Sequence, residues 1–131
     1  MPVTYCFDVE NRLIRATATG VLCLEDTVSY FKELMEDPKL PLESIEIIDF
    51  AEVTDFDIYA KEIARIAAFY QRAKKQGRIR ATIFYCPSDV SYGIARMLEV
   101  HHKMANKQHI VKLARTRSEL DQQVQYLGQP S

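Results

Sequence analysis

The sequence has no strong excess of charge of either sign. Its 131 residues include 17 Lys and Arg against 18 Asp and Glu, so the formal net charge is −1. A domain balanced in this way sets up no general field that would attract nucleic acid or an anionic membrane surface. We therefore expect neither of these to be its partner.

Cysteines are few and widely spaced, and long apolar runs are missing. The three cysteines, Cys6, Cys23 and Cys86, form no paired pattern, which disfavours a disulfide framework and favours reduced thiols. No stretch approaches the roughly 20 apolar residues that cross a bilayer. The first residues show no basic region followed by an apolar segment, as a signal peptide would. These absences predict a cytoplasmic protein without a transmembrane segment.

The composition that is present is that of a globular domain. Hydrophobic residues make up 47% of the chain, and a chain of this length can bury a core without metals or disulfides. No internal repeat, linker or low-complexity segment interrupts it. We expect a single domain over residues 1–127 and a loose tail over residues 128–131.

Periodicity predicts an opening hairpin and then strands that alternate with helices. A two-residue turn at Glu10 and Asn11, with Asn11 taking a positive φ, would pair Phe7 with Ile14. Gly20 is expected to release the second strand, and residues 51–57 to form a loop. The predicted strands are 3–9, 12–19, 44–50, 79–86 and 109–114, and the predicted helices are 25–36, 58–76, 88–107 and one that opens at 116–119.

The order β-β-α-β-α-β-α-β-α indicates an α/β domain with a mixed, mostly parallel sheet flanked by helices, because alternating strands and helices pair through right-handed crossovers. Ser88 or Asp89 is expected to cap the third helix, and the capping-box pattern of residues 116–119 to open the fourth. The apolar stripe of the third helix predicts a core side made by Ile94, Met97, Leu98, His101 and Met104. Tyr30, Tyr59 and Phe69 are candidates for exposed aromatic residues.

Residues 49–57, DFAEVTDFD, follow the third predicted strand. They resemble the segment of anti-sigma-factor antagonist domains (STAS, or SpoIIAA-like) in which an aspartate precedes a phosphorylatable serine. Asp57 falls on the family's aspartate, but Ile58 stands where the serine would be and has no oxygen to phosphorylate. The resemblance therefore implies a SpoIIAA-like fold without the phosphorylation chemistry of that family.

Further motifs resemble a bacterial STAS/SEC14-like branch of this superfamily along nearly the whole chain. They are Gly20–Val21–Leu22, Asp37–Pro38, and the run from Ser88–Asp89 through Tyr92–Gly93 to Ala95–Arg96–Met97. Function in that branch is mostly unassigned. SEC14-type domains bind lipids in an apolar cavity, so the resemblance suggests a class of ligand.

Residues 86–97, CPSDVSYGIARM, match no catalytic pattern. A cysteine phosphatase loop needs an arginine six positions after the cysteine, where Tyr92 stands. Pro87 and Asp89 around Ser88 do not fit the small residues of a serine nucleophile elbow. We expect no enzyme activity and no cofactor. Gly93, inside the predicted helix, indicates close approach of another backbone, helix or ligand.

The best candidate binding site is the edge of the sheet at the carboxyl ends of its strands, where open parallel sheets bind ligands. Asp55 and Arg115 are expected nearby. The candidate residues are Asp49, Asp57, Tyr59, Ser88, Asp89, Tyr92 and Arg96.

The histidines give a weak metal pattern. His101 and His102 are adjacent on a helix and therefore point about 100° apart, so they cannot easily share an ion. The stripe of the third helix predicts that His101 faces the core and His102 faces outward. We expect no metal site.

Two functions stay open. The first is a non-enzymatic regulatory or protein-interaction module that acts through a protein partner or by self-association. The second is a carrier or sensor of a small apolar or amphipathic ligand, which the broad apolar surface of the helix over residues 58–76 would favour.

Overall fold

The computed structural model describes residues 2–105 and 109–128, without the side chains of residues 73–75 and 105. Within these ranges five strands and four helices follow one another in the predicted order. The strands are β1 (Val3–Asp8), β2 (Leu13–Cys23), β3 (Ser44–Asp57), β4 (Ile79–Tyr85) and β5 (Ile110–Ala114). The helices are α1 (Leu24–Glu36), α2 (Ala60–Lys75), α3 (Asp89–Ala105) and α4 (Arg117–Gly128).

Two predicted chain segments reach beyond the described residues. The end of the third helix at Lys107 lies outside them, as do residues 129–131 of the predicted tail. Gly128, where the prediction placed the start of the tail, is the last residue of α4.

The five strands form one sheet in the order β1-β2-β3-β4-β5. β1 and β2 are antiparallel, and the other three pairs are parallel, which confirms the predicted mixed α/β class. Each parallel crossover moves one strand further in the same direction. Right-handed crossovers in a constant direction place their helices on one face of the sheet, so α1, α2 and α3 share a face.

The core has two layers, one on each face of the sheet. The larger cluster lies beneath α1, α2 and α3 and includes Ile14, Leu34, Ile63 and Phe84. The smaller cluster lies beneath α4. β3 and β4 are covered on both faces over their shared length, which explains their nearly continuous apolar runs.

The hairpin has the predicted register, since Phe7 pairs with Ile14 and Tyr5 with Ala16. The turn differs from the prediction in two respects. It spans the four residues between Asp8 and Leu13 rather than two, and the positive φ of 54° belongs to Arg12 and not to Asn11. The backbone N–H and side-chain amide of Asn11 instead donate to the Asp8 carboxylate, at 3.1 and 2.8 Å. This Asx-type contact holds Asn11 within the turn.

Residues 51–57 are strand, so the predicted loop there is wrong. β2 also continues past Gly20 to Cys23, and the two strands pair as far as Cys23 and Asp57, with two register shifts on the way. The polar composition of this segment concealed the strand. A surface ribbon needs only a few side chains against the core, and here Val53 and Phe56 provide them.

The buried side of α3 also differs from the prediction. Ser91, Ala95, Leu98 and His102 face the core, whereas Met97 and Met104 are exposed. Ser91 can be buried because its hydroxyl bonds to Ser88. Apolar residues lie all around this helix, and hydropathy alone therefore selected the wrong face.

None of the helices in the described part of the chain combines the length and apolar character needed to cross a membrane.

Candidate functional site

Ser88 caps α3, so the first of the two predicted alternatives, Ser88 or Asp89, is confirmed. Its hydroxyl oxygen accepts the backbone N–H of Ser91 at 3.1 Å, and its own N–H donates to the Ser91 hydroxyl at 3.2 Å. This is a reciprocal capping box with serine in both positions. The role of Ser88 is therefore to begin the helix.

Arg115, just after β5, gathers the residues around this helix start. Its guanidinium donates to the Asp89 carboxylate at 2.8 Å and to the Pro87 carbonyl at 3.1 Å. The same group lies over the ring of Tyr92, 4.6 Å from its centroid. These contacts occupy Arg115, and they bring together two of the predicted site residues, Asp89 and Tyr92, next to the cap residue Ser88.

The other predicted site residues lie apart from this group. Asp49 accepts from Arg117 at 3.3 Å, and Arg96 pairs with Glu99 at 2.6 Å along α3. Asp57 and Tyr59 line a separate shallow depression. They lie apart because β3 is longer than predicted: Asp49 and Asp57 are eight residue steps apart along this strand, a separation of up to about 26 Å. The predicted edge site is thus divided among several places.

A buried polar cluster, which the sequence did not predict, lies between the sheet and its helices. Glu46 on β3 is at its centre and is fully buried. Its carboxylate accepts the hydroxyls of Tyr30 at 2.5 Å, Tyr70 at 3.2 Å and Thr82 at 3.0 Å. The Thr82 hydroxyl also lies 3.1 Å from Nε2 of His109. We call these five residues and His102 the core polar cluster.

Burial sets the protonation of this cluster. Desolvation raises the pKa of Glu46 to about 7, although the three hydroxyls that bond to it act in the opposite direction. The pKa values of Tyr30 and Tyr70 are well above their usual range, chiefly through burial and then through the nearby Glu46 carboxylate. Burial, followed by the nearby His109 and His101, lowers the pKa of His102 to about 3.

His102 faces the core, so the predicted orientations of His101 and His102 are wrong. The His102 ring packs edge-on against Tyr70 at 4.8 Å and lies 5.4 Å from the ring of His109. In residues 2–105 and 109–128, no three His, Cys, Asp or Glu side chains are placed to hold a metal ion.

An apolar cavity of about 30 Å³ lies on the same face of the sheet. Tyr30, Tyr70 and Ile58 contribute to its lining. Its volume is that of a water or two, whereas ligand pockets typically enclose roughly 300–1,000 Å³. Ile58 is partly buried and packs against the apolar core.

The outer surface of α3 is unusually apolar. Four large apolar side chains are exposed there: Val90 by 62%, Met97 by 38%, Val100 by 46% and Met104 by 78%. Val90, Met97 and Met104 recur every seven residues, which places them on one side of the helix. Gly93 lies on this side as well, and apart from its chain neighbours and the backbone of its own helix no described atom comes within 4 Å of where its Cβ would be. We call Val90, Gly93, Met97 and Met104 the α3 stripe.

The three candidates for exposed aromatic residues differ in their exposure. Tyr59 is exposed and Phe69 is half-buried, but Tyr30 is buried in the core polar cluster. One signal for this cluster was present in the sequence, since Glu46 stands between Ile45 and Ile47 within the run SIEIIDF. A charged residue in a strand covered on both faces requires buried partners.

Comparison with known proteins identifies the fold and nothing more specific. No protein-family model matches this chain, and neither does any curated protein. Among solved structures, the chain is similar to an uncharacterised protein of the DUF3478 family with a SpoIIAA-like fold, from Shewanella loihica PV-4. The two are 14% identical, and the match covers 92% of this chain and 90% of the other, with a TM-score of 0.51.

The sheet order, the opening antiparallel pair and the helices on both faces of the sheet define a mixed α/β domain. More particularly, the chain has the SpoIIAA-like fold, the fold of STAS domains. This confirms the fold that the sequence motifs implied. The STAS/SEC14-like branch stays a prediction.

Proposed function

We propose that this protein is a non-enzymatic interaction module of SpoIIAA-like fold that pairs with a second copy of itself through α3. The observation that carries the proposal is the α3 stripe. Exposed large apolar side chains scattered singly are ordinary, but a contiguous stripe on one helix marks an interaction surface. From Val90 to Met104 the stripe is about 21 Å long, at a rise of about 1.5 Å per residue.

The stripe is self-complementary about Met97. Two copies of α3 packed antiparallel around a two-fold axis at Met97 would set Val90 of each copy against Met104 of the other. Gly93 would lie opposite His101, so that a residue without a side chain faces a large one. A two-fold interface requires this kind of self-complementarity.

Charge at the ends of α3 supports the same antiparallel arrangement. Asp89 lies in the first turn and Lys103 in the last, and their side chains are 96% and 62% exposed. Antiparallel pairing brings Asp89 of one copy within about one helical turn of Lys103 of the other, in addition to the ion pairs that Asp89 makes with Arg115 and Lys103 with Glu99. Opposite helix dipoles add a further favourable term.

The non-enzymatic part of the proposal is supported by where the acid–base groups lie. Glu46, Tyr30, Tyr70, His102 and His109 are each no more than 4% exposed, so they offer a substrate very little accessible surface in this conformation. The exposed groups near the start of α3 are engaged in helix capping and in the Arg115 contacts. By the resemblance to STAS domains, Ile58 stands where their phosphorylatable serine would be, and its side chain has no hydroxyl that could accept a phosphate.

The test is the oligomeric mass of the protein by native mass spectrometry and by light scattering during gel filtration. We expect a dimer, and Met97→Glu should convert it to a monomer because two carboxylates would meet at the axis. Val9→Glu is the matched control, since Val9 is 64% exposed in the hairpin turn, away from α3, and should leave the dimer intact. Circular dichroism confirms that both variants fold.

A wild-type protein that stays monomeric at high concentration would refute the pairing. The same mass spectra test the second function, a carrier or sensor of a small apolar ligand. A reproducible extra mass, lost on denaturation, would favour the carrier. The cavity of about 30 Å³ gives that function little support.

A further inference from the structure

β1 is an edge strand whose outer main-chain groups are unpaired. The Thr19 N–H donates to the Pro2 carbonyl at 2.7 Å, which shows that even-numbered residues here point their main-chain groups toward β2. Because these groups alternate along an antiparallel strand, Val3, Tyr5 and Phe7 point theirs away from the sheet. Within residues 2–105 and 109–128, no hydrogen bond reaches them.

The opposite edge of the sheet is partly protected by side chains. On β5, the outward-facing Leu113 carbonyl accepts the side-chain amide of Gln123 at 2.8 Å. Just beyond the strand, the Arg115 N–H donates to the Glu119 carboxylate at 2.9 Å. Side chains of α4 therefore cap two main-chain groups along this edge, one of the ways in which proteins protect edge strands. No comparable side chain in the described part of the chain caps β1.

A groove runs between the β1 edge and α1. Its volume is about 360 Å³, and its lining includes the carboxylates of Glu33 and Asp37 and no basic side chain among the described residues. The Tyr5 hydroxyl donates to Asp37 at 2.9 Å. Both carboxylates therefore lie beside the exposed edge. Burial, the bond to Asp37 and the charges of Asp37 and Glu33 together raise the pKa of Tyr5 to about 12.

We propose that the β1 edge binds an extended segment of another protein that carries Lys or Arg at alternate positions. The free N–H and C=O groups of Val3, Tyr5 and Phe7 would extend the sheet by one strand. Every second side chain of the added strand would face α1, where Glu33 and Asp37 favour a positive charge.

A second copy of β1 fits this edge poorly. β1, VTYCFD, contains no basic residue. A two-fold axis at this edge would also bring Glu33 and Asp37 of both copies toward each other, and like charges repel. This proposal concerns a different surface from the α3 stripe and goes beyond the pairing proposed above.

The experiment uses a peptide of about eight residues that alternates lysine with threonine, and a matched peptide that alternates glutamate with threonine. Amide hydrogen exchange of the full chain is followed by NMR. The lysine peptide should slow the exchange of Val3, Tyr5 and Phe7 by roughly tenfold or more at saturation. Thr4 and Cys6, whose amides already face β2, should not change, and the glutamate peptide should have no effect.

Two variants of α1 test the charge requirement. Glu33→Lys should weaken binding of the lysine peptide by at least about threefold, the range of an exposed charge pair. Glu36→Lys makes the same charge change on the same helix outside the groove lining, and should alter the affinity by less than about twofold. Met97→Glu should leave it unchanged, so failure here and failure of the α3 pairing are distinguishable.

Several results would overturn the proposal. The first is that the lysine peptide does not bind, and the second is that it protects the amides of odd and even residues of β1 equally. The third is that Glu33→Lys and Glu36→Lys change its affinity equally, and the fourth is that the glutamate peptide binds as tightly as the lysine peptide. Protection of Val3, Tyr5 and Phe7 in the protein alone, rising with its concentration, would assign the edge to a second copy instead.

Discussion

Replacing Glu46 by glutamine should change how the stability of the protein depends on pH. The pKa of Glu46 is about 7 in the folded protein, against a reference value of 4.5, so folding favours the protonated carboxyl. Its contribution to stability is therefore complete below pH 4.5 and is lost as the pH rises through 7. At about 1.4 kcal/mol per pKa unit, the loss is about 3 kcal/mol.

The ionisation of His102 changes the stability with pH in the direction opposite to that of Glu46. The pKa of His102 is lowered from 6.5 to about 3, so its contribution is present above pH 6.5 and is lost as the pH falls toward 3. Between pH 4.5 and 6.5 the two slopes oppose each other, and the wild-type profile should be nearly flat there. Glu46→Gln removes one of the slopes, and the variant should gain stability with pH over this interval.

The assay is urea unfolding followed by circular dichroism, for wild type and variant, from about pH 4.5 to about pH 7.5 under two-state conditions. The free energy of unfolding of wild type minus that of Glu46→Gln should fall by about 3 kcal/mol over this range. Glu52→Gln is the control, because Glu52 is an exposed glutamate on the same strand and its profile should run parallel to wild type. Parallel profiles for Glu46→Gln and wild type would refute the reasoning.

Two further substitutions test the contacts around the cluster and the helix start. Tyr30→Phe should lower the free energy of unfolding, measured in urea at pH 8 where Glu46 is charged, by about 1–3 kcal/mol. Tyr70→Phe should lower it by less, since the Tyr70 hydroxyl lies 3.2 Å from the Glu46 oxygen that the Tyr30 hydroxyl reaches at 2.5 Å. Equal losses for the two variants would contradict this geometry. Ser88→Ala should lower the free energy of unfolding by about 1 kcal/mol in the same measurement, through loss of the α3 cap. If it lowered stability by no more than Asp89→Ala does, Ser88 would not be the cap.

Local patterns in the sequence determined the order of elements, the hairpin register and the start of two helices. Pairing of Phe7 with Ile14 follows from the alternation of apolar side chains, which a one-residue slip would turn to the wrong face. Thr116 accepts the Glu119 N–H at 3.1 Å as the capping box predicted. In each case the information lies within a few residues, and short-range sterics and hydrogen bonds suffice to express it.

The tertiary structure alone decided which side of α3 is buried, how far β2 and β3 extend, and what surrounds Glu46. His102 is buried because Tyr70 and His109, from other elements, pack against it. Residues 51–57 are strand because β2 runs beside them. The partners of Glu46 lie 16, 24 and 36 residues away along the chain, and only the folded sheet with its helices brings them within hydrogen-bonding distance.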